Sequence, residues 1–536
     1  MTAARRTPKP VRRANSHDNL PAVPPSPQVP PSPGSVTERA LNFDPSTYIV
    51  RLARARDMLA VFRERYVDVV VRIASLVLLS QIAIHLYGKM YDVSDTIGKG
   101  VLAAELARMP VGDACTALFE TMAWMGPSFL IMVAALLLRR RRSVYMLDFA
   151  LFDPPASWKL TQNEIIDICR NVGKAEKTGS FADADLEFMT KVLQNSGTGE
   201  ATAWPPGLSQ CRKKGVQAKE TMEATRAEAK TVICGCMEKL FEQTGIKPRE
   251  VDFLVINCSL FSPTPSLCAM ASNHFGMRSN MRTYNLSGQG CSASLLSVDL
   301  ASELLASNPN SIAVVVSTEL ITQSLYHGHE KGMLLQNTLF RSGGAAIALT
   351  NKASLIGKAK YRLRHLVRTQ CTDDESYNAV FQCEDESGCS GVRLSKEIVK
   401  VAGNAMKINL TQLGPLVLPI SEQARVLWSI IERKLGKNRG MPRYVPSFKT
   451  AINYFCIHAG GRAVLDGIEK SLRLTPDDLK PSRTVLHSQG NTSSSSIWYE
   501  LKYVEDYKQP KPGQKVLQLA FGSGFKCNSA VWTRIR

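Results

Sequence analysis

The balance of apolar and polar positions changes character twice along the chain. Residues 1–45 show no apolar periodicity: RRTPKPVRR gives way to PAVPPSPQVPPSPGS, with too little apolar surface to offset chain entropy, which predicts a disordered, solvated arm. Two long apolar runs follow, VDVVVRIASLVLLSQIAIHLY at 67–87 and ALFETMAWMGPSFLIMVAALLL at 117–138. As helices rising about 1.5 Å per residue, each is long enough to cross the roughly 30 Å hydrocarbon layer of a bilayer. From Ser143 onward the pattern alternates. VDFLVINCSL (251–260) and SIAVVVSTEL (311–320) predict buried strands, and RAEAKTVICGCMEKLFEQTG (226–245) repeats its apolar positions at helical spacing up to a glycine stop. Such alternation predicts an α/β core.

With 536 residues and 44% hydrophobic content, the chain has material for two fused or duplicated units plus extensions. Its 66 Lys and Arg against 47 Asp and Glu leave a formal charge of +19. That field attracts anions, whether lipid headgroups, nucleic acid or a phosphate-rich cofactor, and charge alone does not choose among them. Its placement is more informative. Arg51, Arg54, Arg56, Arg63 and Arg65 precede the first apolar run and RRRR at 139–142 follows the second, while the intervening loop is nearly balanced. The positive-inside rule then predicts a membrane hairpin with both ends cytosolic, in preference to a pair of buried soluble helices. The thirteen cysteines form no CxxC pair and stand beside no His cluster, which argues for reduced thiols and against a disulfide framework or zinc site.

The α/β region also repeats itself. In one half a strand ends at Cys258, a helical region follows, and a strand leads into SGQGCSAS. In the other a strand ends at His458, the helix RAVLDGIEKSLRL follows, and a strand leads into SQGNTSSS. Cys258 and Cys291 are 33 positions apart, and so are His458 and Asn491. A second echo, F-x-S-G, runs from Phe340 to Gly343 and from Phe521 to Gly524. Duplication predicts two halves packed about a pseudo-two-fold axis, with Cys291 and Asn491 at equivalent strand-to-helix elbows and His458 in the same pocket. The division expected is an arm (1–45), a membrane anchor (46–142), an N-terminal half carrying the nucleophile (143–355) and a C-terminal half carrying His and Asn (356–536).

Each candidate has a chemical reason. Cys291 follows Gly290 and opens a helix whose dipole and free N–H groups favour a thiolate, which predicts a nucleophile rather than a small buried hydrophobe. His458 precedes Ala459-Gly460-Gly461, where another group can approach closely. Asn491 is by default a helix cap, and its equivalence to Cys291 raises it to a site residue. The Gly-rich turn FGSGFK (521–526) offers the N–H groups of Gly522 and Gly524, beside that of Cys291, to an oxyanion.

NCSLFSPTPSLCAM (257–270), YNLSGQGCSAS (284–294), NTLFRSGGAAIAL (337–349), LGPLVLPISEQ (413–423), FCIHAGGRAVLDGIEK (455–470), GNTSSSSIWYEL (490–501) and FGSGFKCNSAVW (521–532) resemble the 3-ketoacyl-CoA synthases, membrane-bound condensing enzymes of very-long-chain fatty acid elongation. The resemblance implies an α/β, thiolase-like, duplicated five-layer αβαβα core behind an N-terminal transmembrane hairpin, usually a homodimer. It implies Cys291 as acyl acceptor and His458 with Asn491 as the decarboxylation and condensation pair, with His365 and His487 in possible supporting places. Acyl-CoA and malonyl-CoA would be substrates, with no metal or redox cofactor and no nucleic acid. Membrane lipid and the ketoacyl reductase, dehydratase and enoyl reductase of the elongase would be partners. The location implied is the endoplasmic reticulum membrane, multi-pass, with the catalytic domain cytosolic.

Some positions depart from the family pattern. Ser287, Gln289 and Ser294 stand where Gly, Met and Gly are usual, Tyr454 and Gln370 where His is usual, and altered packing near the acyl pocket is an expected result. Three other readings share parts of this pattern. A type III polyketide synthase would not need the hairpin, a hydroxymethylglutaryl-CoA synthase-like enzyme would condense without decarboxylation, and a catalytically silent elongase scaffold would not need Cys291.

Overall fold

The computed structural model describes residues 143–175, 181–213, 216–434 and 444–536, and Ser80. Apart from Ser80, the arm expected over 1–45 and the apolar runs at 67–87 and 117–138 lie outside the described residues. Among the described residues no helix is long and apolar enough to cross a membrane.

Nine strands form the main sheet: β1 (Tyr145–Leu151), β2 (Phe253–Asn257), β3 (Arg282–Leu286), β4 (Ile312–Glu319), β5 (Gly343–Thr350), β6 (Tyr361–Gln370), β7 (Tyr454–Ile457), β8 (Lys515–Gly522) and β9 (Lys526–Arg534). Their order is β7-β8-β9-β6-β1-β5-β4-β2-β3. The seam between halves is the short β1/β6 pairing, Tyr145 with Arg362 and Met146 with Tyr361. Outward from it the orders β1-β5-β4-β2-β3 and β6-β9-β8-β7 match strand for strand, except that β3 has no counterpart. The strand expected ahead of SQGNTSSS is instead a helix, Lys480–Gln489. Pro481 sits in its first turn, where no N–H is required, and Val485 and Leu486 are buried on its inner face. The F-x-S-G echo falls just ahead of the equivalent strands β5 and β9.

Among the helices are α1 (Met222–Thr244), α2 (Leu267–His274), α3 (Ala293–Ser307), α4 (Ile398–Val417), α5 (Ile420–Lys434), α6 (Arg462–Leu472), α7 (Lys480–Gln489) and α8 (Ser496–Tyr503). Sequence accounts for the ends of α1. The Thr221 hydroxyl accepts from Ala224 N–H at 3.2 Å to start α1, and Gly245, at φ +70°, stops it.

The alternation of side chains along the strands builds the layers. In β2, Leu254 and Ile256 face outward to Val232 and Met237 of α1 and Leu267 of α2, while Phe253 and Val255 face inward. In β8, Leu517 and Leu519 meet Val401 and Ala405 of α4 and Leu465 of α6, while Val516 and Ala520 face inward. The shared inner cluster holds Leu295 and Val298 of α3 with Ile497, Trp498 and Leu501 of α8. The layers are therefore α1/α2, the β2-side strands, α3/α8, the β8-side strands, and α4/α6. The two helices that follow Cys291 and Asn491 fill the middle.

Candidate functional site

The polypeptide leaves β3 at Leu286 and makes a 3-10 turn, Gly290–Ser292, before α3. This elbow lies backbone to backbone against the turn between β8 and β9. Gly290 has φ +62°, and a Cβ there would stand 2.6 Å from Ser523 N; a Cβ on Gly522 would stand 2.5 Å from Gln289 O. Only glycine fits at either place. The contact puts the Cys291 thiol beside Gly522 and Gly524 on one cavity wall.

His458 follows the last residue of β7, with its N–H bonded to Leu519 O at 2.9 Å. Its imidazole is buried, and desolvation pulls its pKa down to about 4, so the ring is neutral at cellular pH. Asn491 follows α7, and its backbone bridges Phe340 in register. Asn491 Oδ1 accepts the Ser493 N–H at 2.9 Å, which assigns the amide orientation and leaves Nδ2 to donate to Gly460 O at 3.4 Å. With one acceptor at that length, Nδ2 has a second hydrogen for a ligand.

The thiolate expectation for Cys291 needs correction. Burial pushes the thiol up to about 12; Ser493 opposes this through a hydrogen bond, and the nearby Glu319 carboxylate adds to the rise. Desolvation is the largest of these influences, and it favours the thiol over the thiolate.

Cys291, His458, Asn491, Gly522 and Gly524 line one cavity of about 790 Å³. The rest of its lining is mostly apolar. Phe188 and Val192 come from the helix Asp183–Ser196, Leu335 and Leu339 from the helix Lys331–Leu339, and Ile398, Val399 and Ala402 from α4. Val380, Phe381, Val392 and Leu394 come from a two-stranded hairpin of Val380–Glu384 and Ser390–Leu394. Tyr326 Oη donates to Asp385 at 2.5 Å, and Arg393 pairs with Glu330 at 2.6 Å, pinning this hairpin to the body. Lys191 and Arg462 are basic side chains on the lining. Size and apolarity suit a hydrocarbon chain.

The other expected residues lie elsewhere. His365 sits in β6 opposite Val531, and His487 is exposed on α7, where its carbonyl accepts the Gly199 N–H at 2.8 Å; neither lines the cavity. The departures from the family pattern, Ser287, Gln289, Ser294, Tyr454 and Gln370, are not on its lining either. Tyr454 Oη donates to Gln514 at 3.0 Å, and Gln370 pairs with Lys526 at the end of β6. Among the described residues no group of His, Cys, Asp or Glu is gathered as for a metal ion, and every described cysteine is a free thiol.

Two residues at the site went unread in the sequence. Glu319, 4% exposed, ends β4 beneath Cys291, and Ser493 stands between them. Their signals were present: a carboxylate closing an otherwise uncharged buried strand, and a serine two places after Asn491.

A five-layered α/β duplication with Cys, His and Asn at one mostly apolar cavity defines a thiolase-like condensing-enzyme fold. The chain matches the model of FAE1/type III polyketide synthase-like proteins over residues 136–435 and that of the chalcone and stilbene synthase C-terminal domain over residues 447–535. A fungal type III polyketide synthase, ORAS, superposes with TM-score 0.56 at 17% identity, covering 73% of this chain and 99% of that one. CsyB complexed with CoA-SH superposes with TM-score 0.55 at 20% identity, covering 73% of this chain and 100% of that one. Relatives in sequence are more specific. 3-Ketoacyl-CoA synthase 5 of Arabidopsis thaliana is 47% identical over 80% of this chain and 87% of its own length. 3-Ketoacyl-CoA synthase 6 of the same plant is 48% identical over 73% and 76%. The chain belongs to the 3-ketoacyl-CoA synthase family.

Proposed function

We propose that this protein condenses a long-chain acyl-CoA with malonyl-CoA, releasing carbon dioxide and CoA and giving a 3-oxoacyl-CoA two carbons longer, the first step of each very-long-chain elongation cycle. The observation that carries this reading is the meeting of Cys291, His458 and Asn491 in one mostly apolar cavity of a family member. Cys291 sulfur attacks the acyl thioester, and N–H groups of Cys291 and the Gly522 to Gly524 turn stabilise the tetrahedral oxyanion. With the acyl chain held on Cys291, malonyl-CoA loses carbon dioxide. The enolate oxygen that develops accepts hydrogen bonds from neutral His458 and from Asn491 Nδ2. Neutrality suits His458 to this role, because an imidazole held at a pKa of about 4 donates a proton-sharing bond without carrying a charge into the apolar site. The enolate carbon then attacks the Cys291 thioester and frees the sulfur.

The membrane anchor, endoplasmic reticulum location with a cytosolic catalytic domain, homodimer and association with reductase and dehydratase partners belong to the same proposal. The apolar runs at 67–87 and 117–138 and their flanking arginines support the anchor. So does the outer face of α5, where Ile420, Leu427 and Trp428 are exposed.

The test is condensation by detergent-solubilised protein with radiolabelled malonyl-CoA and a panel of acyl-CoAs. Label in 3-oxoacyl products that disappears in Cys291→Ser and His458→Ala is the expected result. Wild-type condensation by Cys291→Ser would overturn the reading. Rescue of an elongation-deficient strain by Cys291→Ala would favour the scaffold instead.

A further inference from the structure

Beneath Cys291 runs a line of polar atoms that the condensation chemistry leaves unused. Ser493 Oγ is 3.4 Å from Cys291 Sγ and 3.0 Å from Glu319 Oε2. Glu319 Oε1 accepts the N–H groups of Ser259 at 2.8 Å and Leu260 at 2.7 Å, and the Cys258 thiol at 3.4 Å. The backbone donors hold the carboxylate by one oxygen and leave the other for Ser493. Ser493 itself is held at φ +55°, a left-handed conformation uncommon for a residue with a side chain, in the turn that also orients Asn491.

Ser493 has one hydroxyl proton and two neighbours that want it. When the proton points to Glu319, the oxygen is free to accept the Cys291 S–H. When it points to Cys291, the sulfur is a hydrogen-bonded thiolate and Glu319 holds the displaced proton. We propose that Ser493 and Glu319 form a proton relay that takes up the Cys291 thiol proton during acyl loading and returns it to the departing CoA. This rests on Cys291 as the acyl acceptor.

The step balances. The Cys291 S–H bond breaks, its proton passes to Ser493 Oγ, and the Ser493 proton passes to Glu319 Oε2. The sulfur electron pair forms the bond to the acyl carbon, and the bond from that carbon to CoA sulfur breaks. The proton then returns along the same line to the CoA sulfur, regenerating the carboxylate. Glu319 is buried and raised above the ordinary carboxylate range, mainly by desolvation, which makes it a stronger base than a solvated carboxylate. The titratable groups facing Glu319 are the thiols of Cys258, just past β2, and Cys291, at the elbow. Its other contacts are the two backbone N–H groups and Ser493. Ser493 touches the reacting sulfur; Glu319 acts through it.

The test measures thioester formation on the full-length, detergent-solubilised protein from radiolabelled acyl-CoA, from neutral to alkaline pH. Ser493→Ala and Glu319→Gln are expected to load on the order of a hundredfold slower at neutral pH and to approach the wild-type rate as pH rises and hydroxide replaces the relay. Ser493→Ala is a small truncation and supplies the result even where Glu319→Gln misfolds. Wild-type loading by folded Ser493→Ala, or a slowing that does not change with pH, would overturn the relay. The two ideas fail differently: with Cys291→Ser inactive and Ser493→Ala loading normally, the relay alone is wrong, whereas wild-type condensation by Cys291→Ser removes the acyl-acceptor role on which both stand.

Discussion

Trp498 Nε1 donates to Ser294 Oγ at 2.6 Å, tying the helix after Asn491 to the helix after Cys291. Ser317 Oγ donates to the same Ser294 oxygen at 2.9 Å, and Ser494 Oγ donates to Asn257 Oδ1 at 2.7 Å across the same seam. The middle layer is thus joined by polar pairs as well as by the packing of Trp498 against Phe149 and Trp532. The relative position of Cys291 and Asn491 depends on this seam.

Ser294→Gly, which restores the usual family residue, is expected to leave the buried indole N–H of Trp498 and the Ser317 hydroxyl without their partner. The cost should be about 1–3 kcal/mol of stability, read from denaturant unfolding of the solubilised protein. Unchanged stability would mean that water or a shifted side chain takes over the bond.

Gly522→Ala places a Cβ 2.5 Å from Gln289 O and forces the turn away from the elbow. Condensation is expected to fall by roughly a hundredfold, because a displacement on the order of 1 Å at the reacting groups has that scale of effect. Product formation compared with thermal unfolding separates a displaced site from a lost fold.

His458 is buried neutral, with its pKa lowered from 6.5 to about 4. At a pH above the unfolded value neither state binds the proton and the group has no effect on stability. As pH falls from about 6.5 toward about 4 the unfolded chain binds a proton that the folded one refuses, so stability declines by roughly 3 kcal/mol. His458→Gln should flatten that part of the stability profile in acid titrations of the unfolding midpoint.

Lys191 and Arg462 line a cavity that is otherwise mostly apolar, and both are exposed enough to meet a charged ligand. Arg462→Ala and Lys191→Ala are expected to raise KM for acyl-CoA several-fold with a smaller change in kcat, as for contacts to the CoA phosphates. An equal loss with acyl-pantetheine substrates, which lack the nucleotide phosphates, would count against that assignment.

Much of the fold was legible in residue order. Apolar runs marked β2 and β4 because strands buried on both faces need no alternation. The equal spacing of Cys258 to Cys291 and His458 to Asn491 exposed the duplication, and the glycines around each elbow marked close backbone approach. Where the two halves diverge, local composition misled: the segment before Asn491 was expected to be a strand by analogy with β3, yet Pro481 and a buried Val485/Leu486 face make it a helix.

Local order alone marked strands such as β2 and β4, the helix α1 and the candidates Cys291, His458 and Asn491, since these depend on periodicity, caps and spacing along the chain. The tertiary structure decided what surrounds them. It brought Glu319 and Ser493, 174 positions apart, within 3.0 Å of each other. It kept His365 and His487 off the cavity, and it surrounded Cys291 so that desolvation favours the thiol over the expected thiolate. Desolvation and through-space contact are sums over neighbours distant in the sequence, and only the packed layers bring those neighbours together.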